Sequence, residues 1–348
     1  MAAPRNAFAA EAARATALSA VKAAWWGLNG LAARSLVQPT RGDAARQPSS
    51  AAPAPSRAAL RKAWGEAFAK DAADIRAGLY PLTETVAPPA RAVARAIDFL
   101  SDARAVDRRR RTGNGVEARA VSENPAYPNY YRQNFHFQSD GWFTADSARR
   151  YEAQVEALFS GTAGAMRRRA LSLLARALRD RDQRRLVILD AACGAGAFLT
   201  DLKAAFPRAT TLGLDLSEPY LAEARRRSGA VVLQANAERL PFADQSLDAI
   251  SCIYLFHELP PRVRPVVAAE LARVLKPGGV LAFADSVQAS DAPEFERLLD
   301  VFPVFFHEPF YASFQATDLT ALFGAAGLVE EASDTAFLTR ARLFRKPA

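Results

Sequence analysis

The sequence predicts an α/β protein: a seven-stranded, mostly parallel sheet with an antiparallel C-terminal hairpin, preceded by a helical N-terminal region. Three observations predict it. From Arg185 onward, short apolar runs alternate with helical or loop segments, the pattern of parallel βαβ units. The first of those runs ends in an acid and a glycine-bearing turn that opens a helix. Before residue 181 the apolar residues recur instead at helical spacing.

In chain order, Leu18, Val21, Trp25 and Leu28 predict a docked N-terminal helix. The same 40 residues, rich in Ala and Arg and poor in acids, also fit an organelle transit peptide. The Ala/Arg bias of the whole chain weakens that alternative. Segment 41–57, with Pro48, Pro53 and Pro55 among serines and alanines, reads as a flexible linker. Leu60, Trp64, Phe68 and Ile75 mark an amphipathic helix, and Val93, Ile97 and Leu100 another, with Gly78-Leu79-Tyr80-Pro81 as the stop between them. Arg108 to Glu123 reads as a polar surface loop. Residues 124–143, NPAYPNYYRQNFHFQSDGWF, are dense in aromatics yet broken by prolines and a glycine. Such a stretch is too apolar to stay solvated and must cover either the core or a ligand. Helices are expected from about Ala148, with Tyr151, Val155, Leu158 and Phe159 on one face, and from about Ala165 to Leu178. The predicted division is a helical region at 1–123, an aromatic cap with helices at 124–180, and a sheet domain at 181–348.

Strands are predicted at 186–190, 210–215, 230–234, 248–253, 279–285, 328–332 and 335–343. The last two are joined by Ser333-Asp334 and expected to pair as a hairpin. Half of the residues are hydrophobic, enough for a sizeable core. No apolar run reaches the roughly 18–20 residues of a membrane-spanning helix. The chain is expected to be cytoplasmic, with organelle targeting or peripheral membrane contact through the N-terminal region as the alternatives. Its net charge is +8, of which residues 1–60 carry +5 from seven cations and two acids. The Arg clusters at 108–111, 167–169 and 225–227 read as helix ends or solvated helix faces. They do not form one stripe, so nucleic-acid binding is not expected. The two cysteines, Cys193 and Cys252, suit a reducing compartment, and no metal is expected. Nothing in the sequence sets the oligomeric state.

The chemistry is concentrated in VILDAACGAGAF, residues 187–198. A strand ends in Asp190, and Gly194 and Gly196 let a ligand approach the backbone before the next helix. About 20 residues on, TTLGLDL ends in Asp215, where an acid can accept from both hydroxyls of a ribose. This is Rossmann-like. A dinucleotide fingerprint places a third small residue where this chain has Leu199, which disfavours a ligand with a pyrophosphate.

At this point the sequence resembles the class I S-adenosylmethionine-dependent methyltransferases, through 185–285. LDAACGAGAF resembles their first motif. QANAERLPFADQSLDAI, residues 234–250, resembles the adenine loop and fourth strand, with Asn236 where many relatives have Asp. RVLKPGGVLAFAD, residues 273–285, resembles the helix-turn-fifth-strand signature. The closest likeness is to the ubiquinone- and menaquinone-pathway C-methyltransferases. The resemblance implies S-adenosylmethionine as cofactor, held by Asp190, Ala192, Cys193, Gly194, Gly196, Asp215, Leu216, Asn236, Ala237, Glu238 and Tyr254.

Ligands of open α/β sheets bind beyond the carboxyl ends of the strands. The three histidines, His136, His257 and His307, each follow a Phe in segments expected around that edge. A His suits removal of a proton from an oxygen or carbon acceptor. His257 is the first candidate base, with Glu258 orienting it or acting itself; His307 and His136 follow. For each, the plain alternative is a structural His under a loop. A metal set of His257, Glu258, His307 and Glu308 lacks a recognised ligand spacing. Tyr130, Tyr131, Phe135, Phe306 and Tyr311 are expected to line a pocket for a small, largely apolar or aromatic acceptor, although aromatic stripes are often plain core. The leading function is methyl transfer to carbon or oxygen of such a metabolite, quinone- or lipid-like. The alternatives are an RNA or protein methyltransferase, a cofactor-binding scaffold with a decayed catalytic edge, and a nicotinamide dehydrogenase.

Overall fold

A computed structural model describes residues 5–36, 50–85, 88–122, 124 and 127–348. Most of the expected linker, 41–49, lies outside them. Seven strands, β1 (Val187–Ala191), β2 (Thr210–Asp215), β3 (Val231–Gln234), β4 (Leu247–Ile253), β5 (Leu275–Ser286), β6 (Val329–Ala336) and β7 (Thr339–Arg345), form one sheet in the order β3-β2-β1-β4-β5-β7-β6. The first five are parallel, and β7 is antiparallel to both β5 and β6. The chain reverses its order across the sheet between β1 and β4, so the crevice at their carboxyl ends is where a ligand fits. β1 is buried along both faces. Ile188 points into the apolar layer with Leu171, Leu174 and Leu199, and Leu189 into the opposite layer with Ile250, Leu271 and Phe283.

Helices α1 (Arg5–Leu36), α2 (Arg57–Arg76), α3 (Pro89–Thr112), α4 (Ala145–Leu158) and α5 (Ala163–Ala177) precede the sheet. α5 crosses β5, β6 and β7, and α2 packs on α5 and β6, so the N-terminal region is seated against the sheet's last three strands. Helices α6 (Ala197–Ala205), α7 (Glu218–Ser228) and α8 (Arg264–Val274) connect the parallel strands. After β5, α9 (Glu296–Phe305), α10 (Tyr311–Gln315) and α11 (Leu319–Ala325) lead to the hairpin.

Four expectations are corrected. The arginines of α5 are not solvated: Arg167, Arg168 and Arg169 are all buried. Arg168 pairs with Asp71, Glu84 and Asp201, and Arg169 with Asp74 and Asp334, while Tyr80 Oη accepts from Arg169. A helix between a sheet and another helix layer has no free face, and its cations are kept by carboxylates facing them. Second, Arg108–Arg111 are the last turn of α3, closed by the left-handed Gly113, and not loop; Arg110 is buried against Asp107. Third, the apolar faces read for α1 and α3 are partly outward. Val21, Leu28, Val93 and Ile97 are exposed, while α1 docks through Ala12, Ala15 and Asn29, and through Lys22, which pairs with Glu84 and Glu156. Small residues let α1 approach closely, which an apolar-residue count does not register. Fourth, the hairpin turns at Phe337-Leu338, with Ala336 opposite Thr339, and Ser333-Asp334 lie within β6. Phe337 adopts φ 51° at the turn because its ring packs against Trp64 and Phe295. Tertiary contacts outweigh the local turn preference of Ser-Asp.

Candidate active site

The β1–α6 turn is built by three left-handed residues, Ala192, Gly194 and Gly196 (φ 58°, 53° and 77°). A Cβ on Gly196 would lie 2.7 Å from the Cα of Ala224, so this glycine is what lets α6 and α7 touch. A Cβ on Gly194 would meet nothing within 4 Å, and its free side is open to a ligand. Its N–H instead donates to Asp215 Oδ2 at 2.8 Å, while Ser217 N–H donates to Oδ1 at 2.9 Å. Burial pushes the Asp215 carboxyl up, and these backbone donors oppose it.

Around this turn lies a cavity lined by Ala192, Gly194, Asp215, Leu216, Asn236 and Ala237, and walled by Tyr130, Tyr131, Phe135, Trp142, Tyr151 and Tyr220. The aromatic segment 127–143 therefore covers the cofactor side. Tyr130, Tyr131 and Phe135 line this cavity and not the larger one described below. Tyr130 Oη donates to Glu238 Oε1 at 2.7 Å, and Asn236 Nδ2 donates to the same oxygen at 3.1 Å. Cys193 is buried beside the turn, its thiol pushed up by burial. Asp190 is buried; Oδ1 accepts from Ser251 at 2.7 Å, and Oδ2 has no hydrogen-bond partner among the described residues. Burial pushes its carboxyl up to about 7, and the Ser251 bond offsets only part of that. A buried carboxylate oxygen without a partner, next to a glycine turn, fits the ammonium of S-adenosylmethionine. Asp215 fits its ribose.

A second cavity of about 1000 Å³ meets the first at Tyr151, Tyr254 and Glu258. Its walls include Gly27, Gly30 and Leu31 of α1, Phe99, Ala103 and Val106 of α3, Val155 and Leu158 of α4, and Phe302 and Phe305 of α9. Phe306 and Tyr311 line it too. Tyr254, at φ 56° just past β4, holds its ring between the two cavities.

His136, His257 and Glu258 come together at this junction, and His307 does not. His307 lies over Gly115 with Nε2 3.0 Å from Gln133 Oε1, and it lines neither cavity. His257 Nδ1 is 2.6 Å from Asp285 Oδ1, and the other Asp285 oxygen accepts from the Phe256 N–H at 2.9 Å. His136 Nδ1 is 2.9 Å from Glu308 Oε1, a contact too poorly aligned for a hydrogen bond. The Nε2 atoms of His136 and His257 lie 3.8 and 3.9 Å from Glu258 Oε1. Burial is the largest single influence and lowers both imidazoles, but the carboxylates around them together outweigh it: Asp285 with Glu308 and Glu258 at His257, which reaches about 9, and Glu308 with Glu258 at His136, which reaches about 10. Burial pushes Glu258 up and His307 down. Asp285 and the His136–Glu308 contact were not singled out in the sequence. Asp285 had a signal: like Asp190 and Asp215, it is an acid at the carboxyl end of a parallel strand.

A family model described as a methyltransferase domain matches residues 188–279. The chain is 38% identical over 115 residues to the fatty-acid O-methyltransferase of Mycolicibacterium smegmatis, covering 32% of this chain and 41% of that one. It is 35% identical over 103 residues to the demethylmenaquinone methyltransferase of Deinococcus radiodurans, covering 28% and 42%. Against the demethylmenaquinone methyltransferase of Beutenbergia cavernae it is 32% identical over 190 residues, covering 54% of this chain and 70% of that one. The chain spans about two fifths of the length of the first two relatives. No helix among the described residues is long and apolar enough to cross a membrane. Strand order, glycine turn, paired acids and these likenesses agree: the chain belongs to the class I S-adenosylmethionine-dependent methyltransferases, on their quinone C-methyltransferase-like branch.

Proposed function

We propose that this protein transfers the methyl group of S-adenosylmethionine to an oxygen or carbon at the polar end of a long-chain apolar acceptor. The observation that carries the reading is the cavity of about 1000 Å³ that adjoins the cofactor side at Tyr151, Tyr254 and Glu258. That volume lies at the upper end of the range for small-molecule sites, about 300–1,000 Å³. Its aliphatic and aromatic walls suit a chain or prenyl tail, and its inner end holds the groups that suit a reacting head. The relatives named for fatty acids and demethylmenaquinone support the same class of acceptor. Exposed Leu31 and Phe305 also line the cavity, which suits loading of the acceptor from a lipid surface.

When bound, S-adenosylmethionine supplies an electrophilic methyl on sulfur. Asp190 and Asp215 would fix its two ends, and the Tyr254 side of the junction would exclude water from the reacting pair. An electron pair of the acceptor, a lone pair on oxygen or a π pair on carbon, would form the new bond to the methyl as the carbon–sulfur bond breaks. The electron pair would stay on sulfur, and the acceptor's proton would leave toward the Glu258 carboxylate or the solvent beyond it, since His136 and His257 already hold protons at neutral pH. Methylation of RNA or protein gains no support, because the arginines of α5 face inward.

Calorimetry with S-adenosylmethionine, with NAD as control and Asp215→Ala alongside, tests the cofactor. Binding to the native protein, lost at least about thirtyfold in the variant, is expected from two charged hydrogen bonds. Labelled methyl transfer is then compared between long-chain and truncated fatty-acid and demethylated prenyl-quinol acceptors. Turnover of a long-chain acceptor, falling sharply on truncation, supports the reading. Cofactor binding with no transfer to any apolar acceptor overturns it.

A further inference from the structure

The junction of the two cavities has the donor set of a metal site. We propose that His136 Nε2, His257 Nε2 and Glu258 bind one divalent transition-metal ion, zinc(II) by the chemistry of the donors, with open coordination positions toward the large cavity. One ligand atom from each of the three residues lies within 4.8 Å of the others. Two imidazoles and one carboxylate are a recurrent catalytic zinc set and also the facial arrangement of other divalent metals.

The outer contacts make the case sharper than the triad alone. A metal-bound His turns its other ring nitrogen to a carboxylate or carbonyl, which fixes the ring and raises its donor strength. Here both do. His257 Nδ1 is 2.6 Å from Asp285 Oδ1, and His136 Nδ1 is 2.9 Å from Glu308 Oε1. Each ring thus turns its Nε2 to the same oxygen, Glu258 Oε1, at 3.8 and 3.9 Å. Two ligands about 2.1 Å from one tetrahedral zinc are about 3.4 Å apart, so a sub-ångström inward shift closes the site.

Beside the triad lies a buried carboxylate that is only partly satisfied. Glu308 is 2% exposed, and neither of its carboxylate oxygens has a hydrogen-bond partner among the described residues. Within the described residues no Lys or Arg pairs with Glu258, Glu308 or Asp285. His136 sits at φ 57°, a conformation costly for a histidine, as ligand positions often are. Segments far apart in the chain, the aromatic cap and the β4 and β5 ends, converge on this point. At the acceptor's reacting end, a bound ion would hold an oxygen and lower its pKa beside the methyl donor. That role rests on the methyltransfer reading; the site itself does not.

The test is metal content and uptake of the full chain, stripped with EDTA and reloaded with zinc(II) or, as a spectroscopic probe, cobalt(II). One equivalent of zinc and a visible cobalt band of low-symmetry nitrogen–oxygen coordination are expected. Affinity should fall at least tenfold in each of His136→Ala, His257→Ala and Glu258→Gln, and be unchanged in His307→Ala. Glu258→Gln keeps shape and volume, and thermal melts of all four show which remain folded. No stoichiometric uptake by the native chain, or uptake that survives in all three folded variants, overturns the site. S-adenosylmethionine binding is measured in parallel on the stripped protein. Its loss would sink the methyltransferase reading and leave the metal result standing.

Discussion

Two groups of buried charge lie in this molecule, and they are finished differently. Around α5, Arg168 and Arg169 are met by Asp71, Asp74, Glu84, Asp201 and Asp334, and Tyr80 closes the gap with its hydroxyl. At the junction of the cavities, two imidazoles are the only ion-pair partners of Glu258, Glu308 and Asp285 among the described residues; backbone N–H groups complete Asp285, whereas Glu308 keeps two oxygens without hydrogen bonds. Charge that serves only the fold is satisfied inside the fold. Charge left incomplete where two cavities meet is completed, we propose, by a group from outside.

The strongest way to break that contrast is to remove one member from each group. Arg168→Met takes the cation from three carboxylates: Asp201 loses its ion-pair partner, Asp71 keeps only the more distant Arg169, and Glu84 keeps Lys22. A loss of about 3–5 kcal/mol in unfolding free energy is expected in denaturant titrations. Glu308→Gln, measured in chelator at neutral pH, should stay within about 1 kcal/mol of the native chain, since the lost His136 contact is offset by removal of a poorly solvated charge. If the two variants cost the same, the distinction between closed and open clusters fails.

The same contrast is sharpened by pH. Asp190 is the open carboxylate on the cofactor side, and burial pushes it up to about 7. An acid with a raised pKa is neutral below that pH, and a neutral acid holds an ammonium poorly. Affinity for S-adenosylmethionine should therefore fall by up to about tenfold per pH unit below 7 and level off above it. In the cofactor-free protein the sign on stability follows from the same shift. The folded state binds the proton more tightly than the unfolded chain, so this residue's contribution is fullest below about pH 4 and is lost as the pH rises through 7. Asp190→Asn should flatten the binding profile; a profile as steep as the native one would remove Asp190 from the site.

Half of this was legible in the sequence, for a physical reason. The sheet, the glycine turn and the acids at strand ends follow from local chemistry, short apolar runs each followed by a turn, so Asp190, Gly194, Gly196 and Asp215 could be singled out as candidates one segment at a time. The closed cluster could not. Arg167, Arg168 and Arg169 look like a solvated face until α2 brings Asp71 and Asp74 across nearly 100 residues of chain. The cavity walls were hidden for a similar reason. α1 and α3 show solvent some of their best apolar residues, Leu28 and Ile97, and face inward with Gly27, Gly30, Ala103 and Val106. Small residues are what leave room for a ligand, and periodicity weights them least.

The smallest expected effect tests whether that room is used. Phe306 lines the large cavity and stacks on Phe302 with ring centroids 4.8 Å apart, on the wall away from the cofactor turn. Phe306→Ala removes apolar contact without touching Asp190, Asp215 or the histidines. If a chain lies along this wall, KM for a long-chain acceptor should rise about three- to tenfold, the weight of roughly 1 kcal/mol of apolar contact, with kcat nearly unchanged. A truncated acceptor that does not reach the wall should lose nothing. Equal losses for both acceptors would mean that Phe306 acts on the junction through Phe302, and that the chain lies elsewhere in the cavity.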